Sequence, residues 1–208
     1  MGARDYHEDL WEAIPEGLEP SHLKRRLAFL LAAVAPGERV LDVGCGEGRF
    51  TAQLARAQVE VVGIDVAEEP LRRARKRYPE LDLRLITESQ RWPFEDSSFD
   101  IVWAGEVIEH VADTAGWLSE VRRVLPSGGR LLLSTPNHTR LRALWLAVSG
   151  RAFDAHFDPL GDHLRFYTPR TMRRLLSDFG FEEVRIGGTG ATLGLHPVML
   201  VRARRSRF

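Results

Sequence analysis

Residues 40–50, Val40-Leu41-Asp42-Val43-Gly44-Cys45-Gly46-Glu47-Gly48-Arg49-Phe50, constrain the fold more than any other stretch of the chain. Val40, Leu41 and Val43 form a short apolar run of the kind a buried strand shows. Glycine then holds every second position from 44 to 48, and Phe50 to Ala57 mixes apolar and polar residues as a helix does. The sequence therefore predicts a strand, a tight glycine-rich turn and a helix start. Such a turn admits positive φ and close approach of the backbone to a ligand, and the helix beyond it offers unpaired N–H groups. The dinucleotide fingerprint wants glycine at the first, third and sixth loop positions, and the sixth here is Arg49, which argues against a dinucleotide.

Two acids complete the pattern. Asp42 precedes the turn, and Asp65 closes a second apolar run, Val59-Glu60-Val61-Val62-Gly63-Ile64. An acid beside the turn suits a cationic ligand, and an acid ending the next strand suits a ribose. With these residues in place the stretch resembles the class I methyltransferases that use S-adenosylmethionine, and it matches their first two motifs. The resemblance runs on to residue 135: Glu88 stands where that family has an acid, Trp92-Pro93-Phe94 is similar to its Leu-Pro-Phe-type turn, and Phe99-Asp100 opens the next strand.

The resemblance implies a doubly wound, Rossmann-like α/β fold with a seven-stranded, mostly parallel sheet and an antiparallel strand. It implies S-adenosylmethionine as cofactor. Asp42 would sit near its amino group, with the turn of Gly44, Cys45, Gly46 and Gly48 under the methionine portion. Asp65 would hold the ribose hydroxyls, Val66 would pack on the adenine, and Glu88 and Ser89 would meet the adenine edge. Gly105 and Glu106 would line the methionine side. Cys45 reads as a small residue that fits the turn, since no partner that would activate a thiol is visible.

A chain of 208 residues suits one such domain, 1–208, with an N-terminal arm and helix at 1–35 and an acceptor-side insertion at 136–168. Lys plus Arg and Asp plus Glu are each 29, so overall charge does not advertise a nucleic-acid partner. The single cysteine excludes an internal disulfide and agrees with a reducing, cytoplasmic compartment. Residues 1–9 lack signal-peptide character, and no apolar run approaches bilayer length, so no membrane insertion is expected.

Outside the motif the expectations are more local. Residues 1–20 read as a loose arm folding over the ligand, with Ser21 capping a helix from His22 to about Ala35. The arginines and Lys76 of the helix Glu68–Arg77 read as a solvated face, opposite Leu71, Ala74 and Tyr78. Further strands are expected at 81–86, 98–104 and 130–134, and helices at 114–125, 141–148 and 168–179. Residues 150–165 read as a loop, 181–186 and 197–202 as a closing hairpin, and 202–208 as a solvated basic tail.

Glu106, Glu109 and His110 carry the acceptor-side chemistry. Their i, i+3, i+4 spacing would put all three on one face of a helical turn, where two carboxylates and an imidazole can bind a divalent cation. The stretch resembles the ubiquinone-biosynthesis O-methyltransferases and the enzymes that methylate the terminal 2′-hydroxyl of small RNAs. In both, such a group serves magnesium or a similar ion. Other relatives have Glu-His here with the histidine only bordering the pocket, so metal use stays open.

His110, His138, His156 and His163 are the candidate general bases, with His110 and His163 foremost. Trp145, Phe153, Phe157, Phe166 and Tyr167 suit an apolar small-molecule acceptor methylated at oxygen. RNA 2′-O-methylation, a nicotinamide-dependent oxidoreductase and a cofactor-binding protein without turnover are the rival readings. The oligomeric state is not legible.

Overall fold

A computed structural model describes residues 3–87, 91–157, 161, 163–188 and 197–207. Its strands are β1 (Arg39–Val43), β2 (Glu60–Asp65), β3 (Asp82–Leu85), β4 (Ile101–Gly105), β5 (Arg130–Pro136), β6 (Phe181–Gly188) and β7 (Val198–Arg205). They form one seven-stranded sheet in the order β3-β2-β1-β4-β5-β7-β6. The ladders from β3 to β5 are parallel, and β7 runs antiparallel to both of its neighbours, as expected from the family resemblance.

The helices are α1 (Ala3–Ala13), α2 (Leu23–Leu31), α3 (Arg49–Arg56), α4 (Glu68–Arg77), α5 (Thr114–Val124), α6 (Arg140–Val148), α7 (Gly150–His156) and α8 (Pro169–Asp178). Both faces of the sheet are covered, which is why its central strands read as nearly continuous apolar runs. Side chains alternate between the two cores with the period of two that a strand imposes. Leu41, Val102, Ala104 and Leu131 pack with Leu118 and Val121 of α5 and Met172 and Leu176 of α8. Val40, Ile101, Trp103 and Leu132 pack with Leu30 of α2 and Phe50 and Leu54 of α3. Each such side chain, fully buried, contributes about 1.5–3 kcal/mol. The parallel strands β1, β2, β4 and β5 end together, so Val43, Asp65, Gly105 and Pro136 lie along one edge.

Several local expectations are corrected. The arm is not loose throughout: residues 3–13 are helical, because α1 docks on α4 and tertiary contacts stabilise a helix too short to persist alone. Ser21 does not cap α2. The turn from Pro20 throws His22 into a left-handed conformation with φ 52°, and α2 starts at Leu23 and ends at Leu31. The 150–165 loop holds α7, whose Phe153 packs against Phe157, the residue just past its end, with ring centroids 4.7 Å apart. The basic tail is strand as far as Arg205, with Arg204 paired to Glu183 at 3.5 Å and Arg205 donating to the Leu125 carbonyl.

On α4, Leu71 and Ala74 are buried as expected, but so is Arg73, at 7% exposure. Among the described residues no helix is long and apolar enough to cross a membrane.

Candidate active site

The turn after β1 is the centre of the sheet edge. Gly44, Gly46 and Gly48 have φ of 67°, 53° and 72°. The Gly44 and Cys45 amides donate to the Ile64 carbonyl at 2.8 and 3.0 Å, tying the turn to β2. A Cβ on Gly44 would stand 2.5 Å from Val107 Cγ2, so that position needs glycine for space as well as for backbone, while one on Gly46 would stand 3.0 Å from Trp11 Cη2, a tight contact at a backbone that already favours glycine. Gly48 precedes α3 as its N-cap. Cys45 is buried, and burial pushes its thiol well above the usual range, which keeps it protonated.

Asp65 closes β2 directly behind this turn. Its Oδ2 accepts from the Gly46 amide at 2.9 Å and its Oδ1 from the Ala67 amide at 3.0 Å, so it braces the loop it faces. Burial raises its pKa, and these N–H groups oppose the rise. Asp42 is buried under the turn, where its Oδ2 accepts from Thr51 Oγ1 at 2.6 Å; burial moves its carboxyl up to about 7. Asp42 lines neither of the two cavities described next.

Those cavities meet at Gly44. One, of about 80 Å³, is lined by His7, Asp65, Val66, Ile86, Trp92, His110 and Trp117, with the two indoles edge to face at 6.4 Å. The other, of about 320 Å³, is lined by Trp11, Arg26, Gly46, Glu47, Gly105 and Glu106. Together they reach the size range of small-molecule sites, roughly 300–1,000 Å³. Glu88 and Ser89, expected at the adenine edge, lie outside the described residues.

Arg26 dominates the larger cavity. It is 2% exposed, stacks over the Phe50 ring at 4.8 Å, and its Nε has no hydrogen-bond partner. Burial lowers its pKa, opposed first by Glu106. A Cβ on Gly105 would lie 2.5 Å from Arg26 Nη2, so the glycine makes room for the guanidinium. Glu106 has a left-handed φ of 59° and accepts from Ser134 Oγ at 2.8 Å. A bulky residue in that conformation is strained, and such strain gathers at functional sites.

The acceptor side differs from expectation. Residues 107–110 form a turn, not a helix, and Glu106 turns away to Ser134, so the set Glu106, Glu109 and His110 does not assemble. His163 takes the third place: Glu109, His110 and His163 each offer an atom, all within 4.8 Å of one another. The Leu164 and Arg165 amides donate to the Glu109 carbonyl at 2.8 and 3.0 Å, which brings His163 there from the insertion.

The Glu109 side chain is fully buried. Its Oε2 accepts from Thr135 Oγ1 at 2.9 Å, while Oε1 makes no hydrogen bond and sits 4.0 Å from His110 Nε2. Burial, with Glu106 adding to it, pushes its carboxyl up to about 8. The other two histidines form a separate pair in the insertion. His138 and His156 have ring centroids 5.3 Å apart, and Phe166 is 5.0 Å from His138. Burial lowers both, His138 to about 4.

Sequence reading missed Arg26, Glu47, Arg73, Trp11 and His7. For Arg26 a signal existed: it interrupts the apolar stripe of Leu23, Leu27 and Leu30, where a charge needs a reason.

A family model described as a methyltransferase domain matches residues 16–186. A ubiquinone biosynthesis O-methyltransferase of Hahella chejuensis is 38% identical over 160 residues, covering 74% of this chain and 66% of that protein. A probable S-adenosylmethionine-dependent methyltransferase of Mycolicibacterium smegmatis is 36% identical over 152 residues, covering 73% of this chain and 55% of that one. The chain thus spans less than two thirds of the length of these relatives. The solved Haloferax volcanii complex of the Trm112 methyltransferase activator with a methyltransferase has a similar fold. Its TM-score is 0.76 at 20% identity, covering 100% of this chain and 99% of that one.

Proposed function

Because this chain belongs to the class I S-adenosylmethionine-dependent methyltransferases, we propose that it transfers a methyl group from S-adenosylmethionine to an oxygen of a small molecule. The observation that carries the reading is the pair of cavities meeting at Gly44, one ending in a carboxylate fit for a ribose and the other in a buried cation beside an acid. When bound, the cofactor supplies an electrophilic methyl on a sulfonium. The chain's task is then to hold donor and acceptor in line, and orientation of that kind can supply a large part of a rate enhancement.

Asp65 accepts from the ribose hydroxyls with lone pairs not used by Gly46 and Ala67. Val66, Trp92 and Trp117 enclose the base. The turn at Gly44, Cys45, Gly46 and Gly48 passes under the amino-acid portion. Arg26, with its orphaned Nε, takes the carboxylate, and Glu106 beside Gly105 takes the ammonium. Asp42 acts from below, through Thr51, on the start of α3.

His110 lines the cofactor cavity and stands 4.9 Å from His163, ring to ring, which supports the reading that one of the two takes the proton of an acceptor hydroxyl. Glu109, His110 and His163 also fit a divalent cation, the unpartnered Glu109 Oε1 being the atom that fits it best. An ion there would lower the acceptor's pKa. Its binding requires Glu109 to lose the proton that burial favours, so affinity rises with pH toward about 8.

The test is S-adenosylhomocysteine release across a panel of phenols, catechols and short RNAs, with and without chelator. Turnover of a hydroxylated small molecule is the expected result. Turnover of RNA alone would move the acceptor, and calorimetric binding of NADH in place of S-adenosylmethionine would end the reading.

A further inference from the structure

We propose that α1 and the turn after it form a strap that must lift for the nucleoside to enter and leave, and that Arg73 is the positioning residue that holds it shut. This rests on the nucleoside site proposed above. The cavity between Asp65 and Trp92 has about 80 Å³ and runs on past Gly44 into the larger one, and α1 stands over both. Val43, Ile64 and Asp65 on its wall are ends of paired strands, held by the ladder. His7 comes from α1, outside the ladder, so the wall at His7 can give way without breaking the sheet.

The strap is fastened by polar contacts. Among the described residues, α1 and the turn after it contribute no side chain to the three apolar cores. The Glu8 carboxylate instead accepts from the Glu68 and Glu69 amides at 2.5 and 3.0 Å, satisfying free donors at the start of α4. Arg73, rising from α4, donates to the Trp11 carbonyl at 3.0 Å and the Ile14 carbonyl at 2.8 Å. The same guanidinium reaches Glu47 in the glycine turn at 3.4 Å, and Glu47 accepts from the Gly17 amide at 3.1 Å. The latch thus joins the strap to the loop that lies under the ligand.

Trp11 closes against Gly46, and its ring lines the amino-acid cavity while His7 lines the nucleoside cavity. One short helix therefore spans both halves of the site. A helix of 11 residues is marginal once undocked. Segments with few apolar contacts also open at far lower free energy than the core.

Stopped-flow binding of S-adenosylhomocysteine to the full chain tests this. A group that only touches the ligand changes dissociation, whereas a latch changes both rates. Arg73→Met should raise association and dissociation rate constants together by about five-fold or more, as expected when one or two charge-assisted hydrogen bonds are lost. Arg73→Lys should recover part of the effect. Glu8→Ala releases the strap from its other end without touching Glu47, and should act in the same direction even if Arg73→Met folds poorly.

In the wild type, ligand should slow amide exchange across residues 3–17. Rate constants for both variants within about two-fold of wild type, or faster dissociation with unchanged association, would overturn the strap while leaving the site intact. Failure of the wild type to bind S-adenosylhomocysteine at all would overturn the site and the strap together.

Discussion

Along the cofactor half of the sheet edge the floor beneath a ligand is backbone, with side chains only around it. Three glycines with positive φ and the amides of a pinned turn form the surface, with carboxylates buried behind them. Along the acceptor half it would meet side chains: two histidine pairs, Glu109, and phenylalanines of α7 and the segment after it, 42–52% exposed. The first half is fixed by the ladder from β1 to β2. The second is assembled from segments far apart in the chain, held to each other by bonds such as those from Leu164 and Arg165 to Glu109. Backbone sites tolerate no change of residue, whereas side-chain sites can change ligand by substitution. The cofactor half should be brittle and the acceptor half adjustable.

Gly44→Ala is the hardest test of that contrast. It places a methyl 2.5 Å from Val107 at a φ of 67°, and should cost about 2–4 kcal/mol in stability and abolish measurable S-adenosylhomocysteine binding. Chemical denaturation with calorimetry on the same sample reads both. Near-wild-type values for the two would mean the turn is as plastic as the insertion, and the contrast would be gone.

Asp65→Asn comes next in size. The amide keeps one of the two acceptors the loop uses, turns an NH2 toward the other backbone N–H and loses the negative charge, so nucleoside affinity should fall by about 1.5 kcal/mol or more, over ten-fold, and stability by about 1–3 kcal/mol. Asparagine is the sharper probe than alanine here, because Asp65 also holds the Gly46 and Ala67 amides. Unchanged affinity would mean that the ribose lies elsewhere.

How much of this was legible beforehand follows the same division. The strand, the glycine turn and Asp65 were open to reading because backbone demands leave a mark on residue type at short range, glycine where φ is positive and an acid where a strand ends, whereas the antiparallel strand of the sheet came from the family resemblance. Thr168-Pro169 announced α8 by the same logic, and its capping box is present. The Glu106, Glu109, His110 set failed because i, i+3, i+4 spacing presumes a helix, and residues 107–110 turn without one. His163 joins that site across more than 50 positions, which no local pattern encodes. Arg73 looked like one more arginine on a charged helix. Only the docking of α1 and the turn after it gives it two carbonyls to hold, and only the glycine turn gives it Glu47.

His163→Ala should separate the halves by function. If the acceptor side is a layer of side chains resting on an independent cofactor site, affinity for S-adenosylhomocysteine should stay within about two-fold while methyl transfer slows by roughly ten- to a hundred-fold, at or below the low end for a lost general base because His110 remains beside it. A matching loss of nucleoside affinity would show that the halves are one site.

The smallest expected effect concerns pH, and here the two halves should pull in opposite directions. Burial raises Asp42 to about 7, so the folded chain binds a proton that the unfolded chain has lost. Its contribution to stability is full below the unfolded value of 3.8 and is lost as pH rises through about 7. Burial lowers His138 to about 4, so its contribution is present above 6.5 and is lost as pH falls toward 4. Between pH 4.5 and 7 Asp42 thus favours the acid end and His138 the alkaline end. Asp42→Asn should remove the first slope and move the stability optimum upward, and His138→Gln should remove the second and move it downward. Urea midpoints taken at half-unit pH steps would read both slopes. Two variants moving the optimum the same way would show that one of these groups is not titrating in the environment described, and parallel curves for all three proteins would remove both from the account.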